Sequence, residues 1–164
     1  HYYGELSYPG NGETQYYKED ILVGYRWHDT QKIKPEFAFG YGMTYTSFKL
    51  SNIISDKKKY GSLDTIKISC DVKNTGNLEG KEVIQVYVGK KNSKVKRALK
   101  ELKGFEKLSL LKGESKKINI FIEVDKLAFY DETISDWNIE KGEYIIYVGN
   151  ASDNISKEIP ITII

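Results

Sequence analysis

The sequence predicts a mainly β protein: an antiparallel β-sandwich preceded by a loop-rich segment that holds one short strand. Three observations carry this. Short apolar runs that alternate with polar residues recur after Phe48, separated by turn-forming clusters, as half-buried strands should be. Before residue 48 the chain changes character and is rich in tyrosine, glycine and loop residues. Between the two lies the seam Phe39-Gly40-Tyr41-Gly42-Met43-Thr44-Tyr45-Thr46-Ser47-Phe48, where two glycines permit a sharp bend and aromatic residues on both sides give it something to pack on.

Residues 1–20 open with Tyr, Gly and Glu, and Tyr8-Pro9-Gly10-Asn11-Gly12 is a loop signal. Such a tyrosine-rich loop serves either as a sugar-binding surface or as ordinary loop packed on a neighbouring domain, and the second is favoured. Ile21-Leu22-Val23-Gly24-Tyr25-Arg26-Trp27 reads as a short strand ending in a polar turn. It is too apolar to stand alone in water. Together with Phe37 and Phe39 it asks for a larger body to lie against. In isolation the segment has three ways out: to fold back over the sandwich, to stay disordered, or to pair with a second copy, and self-association is the expectation. Arg26 and Asp29 suit either of two roles, since guanidinium and carboxylate groups bind sugar hydroxyls and also form structural ion pairs; the structural role is favoured.

From Phe48 the strands follow in order. Phe48, Leu50 and Ile53 begin the first. Thr65 to Lys73 alternates cleanly, with Cys70 on the buried parity of Ile66, Ile68 and Val72. Asn74-Thr75-Gly76-Asn77 is a turn. Glu82 to Val88, Lys117 to Val124, Tyr144 to Val148 and Ile159 to Ile164 complete the pattern. The span from Phe48 to Ile164 is near the roughly 100 residues of an immunoglobulin-like domain, with Trp137 expected in its core alongside Cys70. Val95, Leu99, Leu102, Phe105 and Leu108 recur at a helical spacing, yet Gly104 and the β context favour two extended pieces broken near Gly104. Asp125 to Tyr130 fits one helical turn with Asp125 as its cap.

The 164 residues suit one domain, or one domain and a piece of another. A formal net charge of +2 is too balanced to argue for nucleic acid or an acidic membrane as partner. A single cysteine excludes an internal disulfide and a cysteine-based zinc site. Two histidines, His1 and His28, give no metal-ligand spacing, and no nucleophile elbow or dinucleotide fingerprint is present, so neither metal nor cofactor is expected. The chain begins at His1 rather than Met, so an upstream start is expected. The Lys-, Ile- and Asn-rich composition looks bacterial, with the cytoplasm favoured and secretion the alternative.

Several stretches together resemble family-three glycoside hydrolases of the β-glucosidase type. Val23-Gly24-Tyr25-Arg26 followed by Asp29 is similar to the V-G-Y-R-x-x-D stretch near the end of that family's second domain. Phe39 to Phe48 resembles its F-x-F-G-x-G-L-S-Y-T-x-F junction. Val72-Lys73-Asn74-Thr75-Gly76, Gly80 to Val83 and Gln85 to Val88 are similar to V-x-N-T-G-x-x-x-G-x-E-V-x-Q-x-Y-V. Lys100 to Phe105 resembles K-E-L-K-G-F, and Leu127, Phe129, Tyr130, Asp131, Trp137 and Gly142-Glu143-Tyr144 match L-x-F-Y-D, W and G-E-Y. Departures are mild: Ala38 and Ala98 stand where proline is common, and Met43-Thr44 replaces Leu-Ser.

The resemblance implies a barrel, an α/β sandwich and then a fibronectin type III-like β-sandwich. This chain would hold the end of the second unit, 1–47, and all of the third, 48–164. It implies a retaining glycosidase, which uses two carboxyl groups about 5–5.5 Å apart. The nucleophilic aspartate and the acid/base glutamate belong to motifs upstream of this stretch, so no residue here is expected to be catalytic. The implied partners are the upstream domains of the same polypeptide and, through the complete enzyme, a β-glucoside. Tyr25, Trp27, Phe37, Phe39 and Tyr41 are the candidates for interdomain packing, with Arg26 and Asp29 as candidate substrate contacts. An autonomous carbohydrate- or protein-binding module is the alternative. A glucoside, a xyloside or an arabinoside would each suit the parent enzyme.

Overall fold

A computed structural model describes residue 8 and residues 10–164. His1 and Pro9 lie outside the described residues; of the expected loop, Asn11 and Thr14 close a tight turn through a reciprocal pair of backbone hydrogen bonds at 2.8 and 3.1 Å.

The described elements are a short helix α1 (Tyr25–Gln31) and strands β1 (Phe48–Ser55), β2 (Lys59–Tyr60), β3 (Thr65–Asn74), β4 (Gly80–Lys90), β5 (Glu101–Leu110), β6 (Ser115–Glu123), β7 (Phe129–Asp131), β8 (Asp136–Asn138), β9 (Gly142–Ala151) and β10 (Asn154–Ile163). A three-stranded sheet, β1-β3-β6, faces a five-stranded sheet, β2-β10-β9-β4-β5, while β7 and β8 form a separate hairpin. Pairing is antiparallel except for β2, which adds to the edge of β10 in parallel.

The alternation read from the sequence accounts for the core. On β3, Ile66, Ile68, Cys70 and Val72 point inward; on β6, Ile120 and Ile122 do; on β4, Ile84, Val86 and Val88; on β9, Tyr144, Ile146 and Val148. These chains and Leu108, Leu110, Ile161 and Ile163 form one cluster between the sheets. Burial of the Cys70 thiol, with some help from the neighbouring Asp71 charge, pushes its pKa up to about 11, so it behaves as a small apolar residue.

β5 explains why its sequence imitates a helix. Val86 pairs with Gly104 and Tyr87 with Leu102, so Lys103 is an extra, bulged residue. The bulge shifts the inside–outside parity by one. Leu102 and Phe105, three apart, therefore stand opposite Tyr87 and Gln85, two residues on the same outward face of β4. The segment is extended, as expected, with the irregularity beside Gly104. A single strand continues through it from Glu101 to Leu110.

Three expectations are corrected. The stretch Ile21 to Trp27 is not a strand: it turns at Ile21, and Gly24, at φ 64°, starts α1. The 3-10 turn Val124–Leu127 is capped by Glu123 rather than Asp125, without a side-chain hydrogen bond. Trp137 is 68% exposed. It sits on β8, whose hairpin belongs to neither sheet, so no layer covers the ring. Its neighbour across the hairpin is Tyr130, at 5.9 Å between ring centroids in an edge-to-face arrangement.

Gly104 faces β6 closely: a Cβ there would stand 2.7 Å from Ile120 Cγ2 and 3.4 Å from Ile122 Cγ1. Gly104→Val is therefore expected to force the sheets apart at the β5–β6 edge and cost about 1–3 kcal/mol. Equilibrium urea unfolding checks this; unchanged stability would mean that the edge yields freely.

Candidate functional site

The site is the outer face of the five-stranded sheet, where the segment before residue 48 returns to the sandwich. A helical period presents Tyr25, Arg26, Asp29 and Thr30 on one face of α1. Each meets one residue of the strand entry Leu99–Leu102, in reverse order. Thr30 Oγ1 accepts from the Leu99 amide at 3.0 Å. The Lys100 ammonium donates to Asp29 Oδ2 at 2.7 Å. Arg26 Nε lies 3.4 Å from Glu101 Oε1. The Leu102 amide donates to the Tyr25 hydroxyl at 2.8 Å. Opposite charges fix the order, since Arg26 and Asp29 face Glu101 and Lys100.

The Lys100–Asp29 pair is nearly dry: the two side chains are 8% and 12% exposed. The rings of Tyr87 and Tyr147 flank the ammonium, at 5.8 and 5.9 Å, a cation–π environment that offsets part of the desolvation. Burial, reinforced by negative charge that includes Asp29, drives the Tyr87 hydroxyl far above the usual tyrosine range. It therefore remains a neutral donor, and it donates to Gln85 Oε1.

The seam residues cover what α1 leaves. Phe39 stacks on Tyr25 at 4.6 Å, and Tyr25 meets Tyr87 edge to face at 5.8 Å. The Phe39 carbonyl accepts from the Ser152 amide at 2.8 Å. Gly40, at φ 82°, lies so near Gln85 that an added Cβ would overlap its amide group. Gln85 Nε2 in turn donates to the Asn150 carbonyl at 2.6 Å. Further on, the Thr46 hydroxyl donates to Asn74 Oδ1 at 2.7 Å, and Asn74 Nδ2 reaches the carbonyls of Leu78 and Leu110. Asn74 is fully buried, and these bonds satisfy its amide.

Of the residues singled out from the sequence, Tyr25, Arg26 and Asp29 are thus held against the sandwich. Trp27 is half-buried on α1, and Phe39 is partly engaged. Leu22 and Ala38 are buried. Phe37 packs on Tyr41 at 5.4 Å, but both remain largely exposed, and Met43 and Tyr45 are 90% and 96% exposed. Sequence reasoning missed Lys100, Glu101 and the Gln85–Tyr87 pair. The signal was present as the opposed charges of Arg26/Asp29 and Lys100/Glu101, which become meaningful only when the first pair is read on a helix.

A second cluster fixes the loop before β5. The Ser93 hydroxyl and the Lys94 amide donate to Glu140 at 2.6 and 2.8 Å, and Arg97 lies 3.6 Å from the same carboxylate. Burial alone would raise the Glu140 pKa, but these hydrogen bonds and the Lys90 and Arg97 charges hold it below the ordinary carboxylate range.

The fibronectin type III-like domain family matches residues 82–152. The β-glucosidase BoGH3A of Bacteroides ovatus is 44% identical over 155 residues, which is 94% of this chain and 21% of that protein. The chain is thus similar to one stretch of β-glucosidases of glycoside hydrolase family three. Thermostable β-glucosidase B of Acetivibrio thermocellus is 43% identical over 92% of the chain and 20% of its own length. The crystal structure of DesR, a β-glucosidase from Streptomyces venezuelae in complex with D-glucose, superposes with a TM-score of 0.89 at 34% identity, over 97% of this chain and 20% of that one. The chain thus spans about a fifth of the length of the curated family-three relatives it matches.

In this sandwich, Lys100→Met would leave Asp29 buried without its cation, and the expected cost is about 3–5 kcal/mol. Adding Asp29→Leu should recover most of that loss. A double-mutant cycle by urea unfolding measures the coupling; additive effects would show that the pair does not hold α1.

Proposed function

We propose that this chain is the non-catalytic sandwich region of a retaining β-glucosidase, and that it braces the catalytic domains of the same polypeptide. The observation that carries this reading is the match over 94% of the chain to a β-glucosidase of which it forms 21%. In this reading residues 48–164 are the fibronectin type III-like sandwich, and 1–47 belong to the end of the preceding α/β domain and its linker. Phe37, Tyr41 and Phe39 then pack between domains, with Tyr25 and Trp27 behind them. Arg26 and Asp29 hold α1 in place rather than touching sugar, because the Asp29 carboxylate is bonded to Lys100 and the Arg26 guanidinium faces Glu101. The β-glucoside is met only by the complete enzyme.

The location of the exposed rings supports bracing over an autonomous binding module. Phe37, Tyr41, Tyr45, Tyr130 and Trp137 stand on the seam and the hairpin, and the exposed Phe105 on β5 and Phe121 on β6 belong to different sheets, so among the described residues these rings form no row along one sheet.

The purified chain is expected not to hydrolyse aryl β-glucosides, whereas the complete polypeptide should. Deleting 48–164 from the complete polypeptide should lower its melting temperature. Turnover by the chain alone, abolished by no upstream contaminant, would overturn the reading.

A further inference from the structure

We propose that the cleft between α1, the loop 95–98 and the β7–β8 hairpin is a second docking pocket for the preceding domain of the same polypeptide, with Trp137 and Tyr130 as its anchors. This rests on the bracing role proposed above and gives it a second contact, separate from the exposed seam at 37–45.

The cleft has a volume of about 620 Å³, and a neighbouring one of about 680 Å³ lies against the same Trp137 ring. The Trp137 and Tyr130 rings sit side by side across the hairpin, both more than half exposed. Rings of this size bury about 150–250 Å² each, and such anchors dominate interface energetics when a partner covers them. Ile21, Ala98 and Phe129 continue the apolar lining. The walls are fixed: Arg97 donates to the Leu127 carbonyl at 2.6 Å, lies over the Phe129 ring at 5.9 Å, and is held by Glu140. A pocket with rigid walls and an exposed aromatic pair is organised before its partner arrives.

The polar groups decide what kind of partner fits. Here Lys103 turns to Glu101 at 3.1 Å, Lys96 turns to Asp20 at 2.9 Å, and Asp131 accepts from Thr133 and Asn138, while Arg26 Nε and Arg97 Nη1 are buried donors without a hydrogen-bond partner. Beside the aromatic pair the cleft therefore offers two guanidinium donors, which suits a folded domain that brings apolar side chains with an acceptor among them. Continuity says which domain. Ile21 and Arg26, which line the cleft, belong to the segment that leads in from upstream, and relatives carry about four-fifths of their length outside the region matched here. A preceding domain would be tethered at the cleft wall, which raises its effective concentration there.

The test is hydrogen exchange of residues 129–138 in the complete polypeptide and in this 164-residue chain, together with Trp137→Ala in both. Exchange of the hairpin amides is expected to be at least about tenfold slower in the complete polypeptide. Trp137→Ala should lower the melting temperature of the complete polypeptide by several degrees and leave that of the chain unchanged. Equal exchange in the two forms would overturn the proposal. So would an equal loss of melting temperature in both, which would make Trp137 a support of its own hairpin. Saturable quenching of the chain's fluorescence by cellotetraose, lost in Trp137→Ala, with exchange equal in the two forms, would make the cleft a sugar platform instead. Protection of 37–45 without protection of 129–138 would sink this inference and leave the bracing role standing; protection of neither would sink both.

Discussion

The helix Tyr25–Gln31 lying along Leu99–Leu102 is the constraint on which the rest of the structure depends. Four consecutive residues of the strand entry each engage one residue of the helix face, two through backbone amides and two through charge. The amides matter because Leu99 and the first residues of β5 lie at a sheet edge, where unpaired donors would otherwise face solvent. The charges matter because they admit only one register. Sliding the helix along the strand entry would set Asp29 against Glu101 or bury Lys100 without a partner, and an unpaired buried charge costs several kcal/mol.

From that contact the character of β4 follows. An ordinary sandwich strand is buried on one face and wet on the other. On β4, residues 84–89 are buried without interruption, because the sheet β1-β3-β6 covers one face and the returning segment covers the other. Polar Gln85 and Tyr87 can occupy this outer layer because each finds a partner within it. The sandwich and the end of the upstream segment are consequently one packed unit. The seam is thereby joined to the central strands by direct contacts.

Much of this was legible in the sequence, for physical reasons. Period-two alternation on β3, β4, β6 and β9 specifies an inner face because the side-chain period of a strand is two, and Cys70 followed from parity alone. The helical spacing around Leu102 and Phe105 misleads only because a bulge at Lys103 adds one residue to the period. Trp137 defeats a composition argument, since a large ring is ordinarily core, and only the topology reveals that its hairpin stands outside both sheets. The strand expected at Ile21 to Trp27 rested on local apolar content. What makes α1 helical is tertiary: a face that alternates Tyr25, Arg26, Asp29 and Thr30 has no helical signal until the charges of Lys100 and Glu101 lie opposite it. The contacts that join the segment to the sandwich were the least legible part, because they span about seventy residues of sequence.

The most direct measurement is the melting temperature of the 164-residue chain against a version that starts at Ser47. Removing the segment would expose the outer face of β4 and leave Lys100 without Asp29. At about 2–4 °C per kcal/mol for a domain of this size, the account expects the shorter version to melt at least about 6 °C lower, with the Leu102 amide exchanging rapidly. Equal melting temperatures and unchanged protection of Leu102 would contradict the claim that helix and sandwich form one unit.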